Sequence, residues 1–342
     1  VTGMSSYQLL VRLLREQCRV EQDPETKGPK VSVKCNKEVP SDSLQNPSDP
    51  DASYDGHKGQ GYQMQVAETY SRDETQKKKS LSLITEVIVE PAHRSDAEAL
   101  IPLIEATQER GVGPEQVLAD SLYGGDDNCQ KAKERSVEVI SPVIGRHQEN
   151  GLTLADFSWT DEGTIKACPQ GHVAQKVKHK KGKHAAIFSP EICTVCPRIN
   201  DCPVKVGKKG SYLHYDEKAL RLAKRRAYEK TPAFQEVYRF RAGVEGTMSH
   251  LDRKTGLKHL RVRGLRAVSF SATLKAAGLN LLRAVAFRNS QGDENLTLQQ
   301  RNPYLFGLFS IFKERFLALR VDPNIFGSYF NRNQLFVIRM TI

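Results

Sequence analysis

No apolar run approaches the roughly 18 residues that a membrane-crossing helix needs, so no stretch of the 342 residues is built to span a bilayer as a helix. No strand pattern leads into Gly-x-Gly-x-x-Gly either. The glycines of Asp55–Gly61 (DGHKGQG) are spaced for a turn, which argues against a dinucleotide site. The opening VTGMSSYQLL has none of the basic, apolar, small-residue order of a secretory signal, and it starts on Val, so a longer reading frame is expected upstream. The seven cysteines are an odd number without such a signal. They point to a reducing cytoplasm, where clustered thiols are metal ligands rather than disulfides. Acidic residues are the scarcer sign: 40 Asp and Glu stand against 51 Lys and Arg, a net charge of +11. The imbalance is local. Val204–Arg266 holds 17 Lys and Arg and 6 Asp and Glu, an excess equal to the whole net charge. A basic block of that kind is an electrostatic footprint for a polyanion.

What is present is the composition of a globular protein, 39% hydrophobic and 27% charged, long enough for two or three domains. Tyr7–Val20 has an apolar stripe at helical spacing, and Gln22–Pro50 is a polar, proline-rich linker with a short strand at Val31–Val33. Tyr62–Tyr70 and Leu83–Val89 alternate as strands, joined by a charged hairpin loop over Ser71–Lys79. The pattern predicts a helix over Asp96–Glu109 with Ala99, Leu100, Leu103 and Ile104 inward. A strand at Gln116–Ala119, a helix at Asp126–Ser136 and a strand at Val137–Pro142 follow. This order is that of an α/β fold with one mixed sheet. Leu152–Gly210 breaks it with a polar, basic, Cys-bearing stretch. Helical periodicity resumes at Glu217 and runs through Arg283. Beyond Asn289 lie two apolar stretches, Tyr304–Leu319 and Asn324–Ile338, to which no function is attached.

Two constellations carry chemistry. The first is Tyr238–Gly264. Thr231 and Pro232 suit a helix start, and the absence of breakers before Gly243 and Gly246 predicts one helix from about 232 to 250. On it Tyr238, Arg241 and Glu245 share a polar face, which by spacing alone is a solvated face with an i,i+4 ion pair. The second is Cys168, Cys193, Cys196 and Cys202 (CPQGH, CTVC, CP). A Cys-x2-Cys with two further cysteines is a pattern for tetrahedral Zn²⁺, with His172 able to replace one thiol. Asp120, in QVLADSLYGGDDN, ends a strand ahead of two glycines and a helix, where α/β proteins place ligands and where an Asp also starts turns. His57, His93, His214, His250 and His259 are read as surface or satisfied core residues.

Tyr-x2-Arg-x3-Glu at Tyr238, Arg241 and Glu245 resembles the C-terminal signature of DDE transposases of bacterial insertion sequences, as do GLKHLRVRG and the Asn280 region. The strand ending Ala119-Asp120, followed by x2-Tyr-Gly, resembles the second catalytic Asp of that family. Where the family has Lys after the Glu, this chain has Asp252. The resemblance implies a ribonuclease H-like α/β core. Asp120 and Glu245 would hold Mg²⁺ or Mn²⁺, with Zn²⁺ on the cysteine insertion. DNA strand cleavage and transfer would occur at the element ends. The partner would be double-stranded DNA bound by a homodimer at the bacterial nucleoid. Arg241, Tyr238, Arg253, Lys254, Arg261, Arg263 and Arg266 would contact DNA, and the basic HKKGKH would touch phosphates. The first Asp of the triad has no matching strand. The reading favours a chain that lacks it, with Asp51 in PSDPDASY as the alternative, and a non-catalytic DNA-binding remnant or a nuclease on the same fold as the competing functions. The expected division is 1–50 helix and linker, 51–150 first part of the core, 151–210 Cys-rich insertion, 211–288 remainder of the core with the catalytic helix, and 289–342 tail.

Overall fold

The computed structural model describes residues 2–23, 27–71, 80–145, 151–160, 162–290 and, for the backbone alone, 334–341. The chain divides into two compact units that interleave in sequence: Val1–Leu118 with Ser136–Glu138 and Phe240–Ile342, and Ala119–Arg135 with Val139–Arg239.

The first unit begins with helix α1 (Ser5–Gln17) and the hairpin of β1 (Cys18–Gln22) and β2 (Pro29–Val33), registered Cys18↔Val33. The expected apolar stripe of α1 buries no residue completely. Polar bonds tie the helix down instead. Arg12 donates to the carbonyls of Asp42 and Pro50 at 3.0 and 3.1 Å, and Glu16 accepts the Leu44 N–H at 2.7 Å.

Strands β3 (Ser53–Asp55), β4 (Gly59–Thr69) and β5 (Ile84–Pro91) follow. The hairpin loop expected between β4 and β5 lies almost wholly outside the described residues. Helix α2 (Asp96–Glu109) has the predicted bounds, and Ala99, Leu100, Leu103 and Ile104 are buried. Strand β6 (Gln116–Leu118), helix α3 (Asp126–Glu134) and strand β7 (Glu138–Ile140) complete the first α/β stretch.

The sheet runs β5-β4, then β14 (Gln334–Thr341), β6 and β7, with β3 against the first residues of β4. β14 is antiparallel to β4 (Val337↔Ala67) and parallel to β6 (Leu335↔Val117). Part of the tail that sequence left without a role is therefore a strand in the middle of the sheet. The other apolar stretch, Tyr304–Leu319, lies outside the described residues.

β4 is buried on both faces from Tyr62 to Thr69, and alternation divides its contacts. Gln63 and Gln65 point to α2, where Lys58 Nζ bonds Gln63 Oε1 at 2.6 Å and forms a buried ion pair with Asp96 at 3.2 Å. Tyr62 packs with Val268, and Glu68 meets Arg283, both of the long helix at 265–290. A β-bulge at Ala67/Glu68 offsets β5 there. At that place the Asn280 amide acts as a strand partner, accepting the Ile84 N–H at 2.9 Å and donating to its carbonyl at 2.8 Å.

The Cys-bearing stretch forms two small antiparallel sheets within the second unit. β8 (Ser158–Trp159) pairs with β9 (Ile165–Ala167). β10 (Lys176–Lys180), β11 (Lys183–Phe188), β12 (Lys205–Gly207) and β13 (Gly210–Asp216) make an antiparallel sheet in the order β10-β11-β13-β12, with the short helix α4 (Pro190–Thr194) between β11 and β12. The core of this stretch is Phe157, Ile165, Ala186, Phe188, Val204, Leu213 and Tyr215. Helix α5 (Glu217–Glu229) starts at Asp216, whose Oδ1 accepts the Ala219 N–H at 2.7 Å.

Candidate active site

Asp120 follows β6 directly. Its Oδ1 accepts the Leu122 N–H at 2.8 Å, and the Tyr123 N–H bonds the Asp120 carbonyl at 3.2 Å, so the carboxylate shapes a tight Asx turn. Tyr123 is buried beneath this turn. Gly124 is required by close approach: a Cβ there would stand 1.7 Å from Ser141 Oγ. Arg225 closes the loop from α5 with bonds to the Gly124 carbonyl at 2.7 Å and to Ser141 Oγ at 3.0 Å. Arg221 grips Asp126 at the start of α3 through Nε and Nη2 at 3.1 and 2.7 Å. The hydrogen bonds from Arg221 hold the Asp126 carboxyl below the usual carboxylate range.

The predicted helix over 232–250 is two helices. α6 (Pro232–Tyr238) starts as expected, with Thr231 Oγ1 accepting the Phe234 N–H at 3.3 Å. A 3-10 turn at Arg239–Arg241 then separates it from α7 (Ala242–Thr255). The rings on the two sides of the break pack differently: Tyr238 stacks on Phe234 with centroids 5.2 Å apart, whereas Phe240 packs against Tyr70 at 6.0 Å. The 3-10 turn thus falls between Tyr238 and Glu245 in the chain. Arg241 Nη1 bonds Glu245 Oε1 at 2.9 Å, and the Glu245 side chain is 63% exposed in the first turn of α7. Asp252, in the position of the expected Lys, organises the end of that helix. Its carbonyl accepts the N–H of the left-handed Gly256, and its Oδ1 accepts the Lys258 N–H at 3.0 Å.

The acids of PSDPDASY meet the start of helix α8 (Leu265–Ser290). Asp51 Oδ2 accepts the Leu265 N–H at 2.8 Å. Asp49 Oδ1 accepts the Gly264 N–H at 3.0 Å and the Tyr62 hydroxyl at 2.5 Å. Burial first, and the Asp49 carboxylate second, push the Tyr62 hydroxyl far above its ordinary value. Carboxylates at a helix N-terminus satisfy its orphan N–H groups and oppose the dipole. They also anchor the segment that carries Arg261, Arg263 and Arg266, all exposed, as are Arg253 and Lys254 in the last turn of α7.

The cysteine segment is built of tight turns. The Gly171 N–H bonds the Cys168 carbonyl at 2.8 Å, and the Cys168 N–H bonds the His172 carbonyl at 2.9 Å; Cys193 and Cys196 flank the end of α4. Cys168, Cys193 and Cys202 pack on the core of this stretch. Burial raises the Cys202 thiol, and Cys196, Cys193 and Cys168 lie near enough to add to that. Sequence reasoning missed a different group. Among the described residues, His179, His184 and Glu217 bring their ligand atoms within 4.8 Å of one another. The available signal was the pair of histidines flanking a two-residue turn, which sets them opposite each other across a hairpin.

The two proposed carboxylates fall in different compact units, Asp120 in one and Glu245 in the other. Residues 167–285 match the family model of the transposase DDE domain. The DDE stretch includes the cysteine segment, Tyr238, Arg241 and Glu245, and it ends within α8; Asp120 and Asp51 lie ahead of it. No curated protein and no solved structure matched the chain. No helix among the described residues is long and apolar enough to cross a membrane.

Proposed function

We propose that the chain is the core of an insertion-sequence transposase that cleaves and transfers strands of double-stranded DNA, on a ribonuclease H-like sheet. The observation that carries this reading is the DDE match itself, which contains Tyr238-x2-Arg241-x3-Glu245 with the glutamate exposed and held by Arg241. The mixed strand order β5-β4-β14-β6-β7 supports the sheet assignment.

Asp120 and Glu245 each supply one metal-ligating carboxylate. Their chemistry fits, because Mg²⁺ and Mn²⁺ take hard oxygen donors and keep several waters. When bound, such cations activate the attacking oxygen and stabilise the leaving oxygen of an in-line displacement at phosphorus. Arg241 orients Glu245 through the 2.9 Å bond. Arg253, Lys254, Arg261, Arg263 and Arg266 bind the DNA backbone without reading sequence, the last three beside the α8 N-terminus. Tyr238 packs beside the scissile strand. Cys168, Cys193, Cys196 and Cys202 would hold a structural Zn²⁺, which would supply tetrahedral thiolate cross-linking and no redox chemistry. The complex on DNA is a homodimer.

A second reading is a remnant that binds DNA without cutting it. It is favoured by the sequence of the central strand β14, QLFVIRMT, which has no carboxylate, and by Asp51, whose oxygen is engaged by α8. The test is a nicking assay on element-end duplex in Mg²⁺ and Mn²⁺. Metal-dependent nicking lost in Asp120→Asn and in Glu245→Gln supports the transposase. Salt-sensitive DNA binding with no metal-dependent nicking supports the remnant.

A further inference from the structure

The β10–β11 hairpin turns through Lys181 and Gly182, both with positive φ (49° and 72°), the geometry of a two-residue type I′ loop. That turn fixes the register, so His179 lies opposite His184. β13 on the other side sets Tyr215 opposite His184. Three rings thus form one row across three strands: His179 stacks on His184 with centroids 4.4 Å apart, and His184 stacks on Tyr215 at 5.0 Å. β13 ends at Asp216, and Glu217 is the first residue of α5, which brings its carboxylate to the same row. The ligand atoms of His179, His184 and Glu217 all lie within 4.8 Å of one another.

A second observation is independent of that distance. Both ring nitrogens of His184 are shut off from solvent, and among the described residues neither has a hydrogen-bond partner. An imidazole whose two nitrogens are both shut off and unsatisfied costs folding free energy unless something binds it. A stacked histidine that served only as packing would need no carboxylate beside it.

We propose that His179, His184 and Glu217 form a binding site for one Zn²⁺ ion, separate from the cysteine cluster and from Asp120 and Glu245. Two imidazoles and one carboxylate are a zinc donor set that leaves a fourth position for water, and nitrogen donors select zinc over Mg²⁺. The neighbours are Lys180 and Lys183, paired across the turn, and Asp216, which caps α5. The lysines oppose the cation and Glu217 and Asp216 favour it. Bound zinc joins the basic hairpin to the start of α5 and so fixes the lysines of HKKGKH in place.

The experiment uses the full chain, stripped of metal with a chelator and then titrated with Zn²⁺. Zinc per chain is measured by elemental analysis, and Co²⁺ absorption distinguishes nitrogen and oxygen ligation from thiolate ligation. The wild type is expected to hold one Zn²⁺ more per chain than His179→Gln/His184→Gln, and Glu217→Gln to weaken that site at least tenfold. Tryptic cleavage at Lys180–Lys183 should slow when zinc is added to the wild type and not in the variants. His179 and Glu217 are exposed, so His179→Gln and Glu217→Gln decide the matter should the double variant fail to fold. Equal zinc content and affinity in these variants and the wild type would overturn the proposal and leave the hairpin as a phosphate-contacting loop only.

Discussion

Replacing Arg283 by Met should be among the most damaging single changes in the first unit. Arg283 reaches from α8 to three partners: Glu68 Oε1 at 3.1 Å, Thr247 Oγ1 at 2.5 Å and the Ser82 carbonyl at 3.3 Å. The Glu68 side chain is 8% exposed and that of Arg283 20%. Removing one partner of a buried pair costs about 3–5 kcal/mol, because the other charge stays buried and uncompensated. The partial exposure of Arg283 puts the expectation at the lower end, about 3 kcal/mol. Burial raises the Glu68 carboxyl above its ordinary value, and Arg283 is the largest opposing influence. A carboxyl raised in the folded state holds its proton more tightly than in the unfolded chain. Its contribution to stability is therefore complete below the unfolded value of 4.5 and is lost as pH climbs through the folded one. Arg283→Met should steepen that loss. Urea unfolding of wild type, Arg283→Met, Glu68→Gln and the double variant at pH 5 and pH 8 gives the cycle. Expected are a penalty larger at pH 8 than at pH 5 and recovery of about half of it in the double variant. A penalty below about 0.5 kcal/mol at both pH values, unchanged by Glu68→Gln, would refute the buried-pair reasoning.

Gly124→Ala should destabilise the loop behind Asp120 by about 1–3 kcal/mol, since its Cβ collides with the buried Ser141; thermal unfolding measures it, and Gly124→Ala with Ser141→Gly should restore part. The Asp126 carboxyl, lowered chiefly by Arg221, contributes stability that is present above the unfolded carboxyl value and fades as pH falls through the folded one. Acid titration of Arg221→Met should therefore lose that pH-dependent increment. Arg261→Gln/Arg263→Gln/Arg266→Gln should weaken duplex binding and flatten the slope of log affinity against log salt by up to about 3, roughly 0.9 for each phosphate contact; fluorescence anisotropy over a salt series reads both.

Elements with a local cause were legible in the sequence. The Ala99, Leu100, Leu103 and Ile104 stripe placed α2, and Thr231 with Pro232 placed the start of α6. The break at Arg239–Arg241 was not legible, because no Gly or Pro marks it and the ring packing on each side is set by tertiary context. Nor was β14, since a strand inserted between β4 and β6 from the far end of the chain leaves no local periodic trace of its neighbours. The stretch around the cysteines was read only as polar and basic, its strands KVKHK and KHAAIF being short and partly exposed. His179 and His184 were read only as part of the basic HKKGKH, because their meeting depends on hairpin register rather than on helical spacing. For Asp120 and Glu245 the spacing gave both a bland and a functional reading. The bland features are present, an Asx turn at one and an exposed ion pair at the other, and neither conflicts with binding a cation.

Asp120 and Glu245 are the proposed metal-ligating carboxylates. Manganese titration followed by electron paramagnetic resonance tests this assignment most directly, because bound Mn²⁺ leaves the free-ion signal. Asp120→Asn keeps an oxygen for the Leu122 turn, and Glu245→Gln keeps one for Arg241, so each removes charge while sparing local structure. Each variant is expected to weaken Mn²⁺ binding at least tenfold while duplex DNA binding at low salt persists. Mn²⁺ affinity unchanged from wild type in both variants would contradict the assignment.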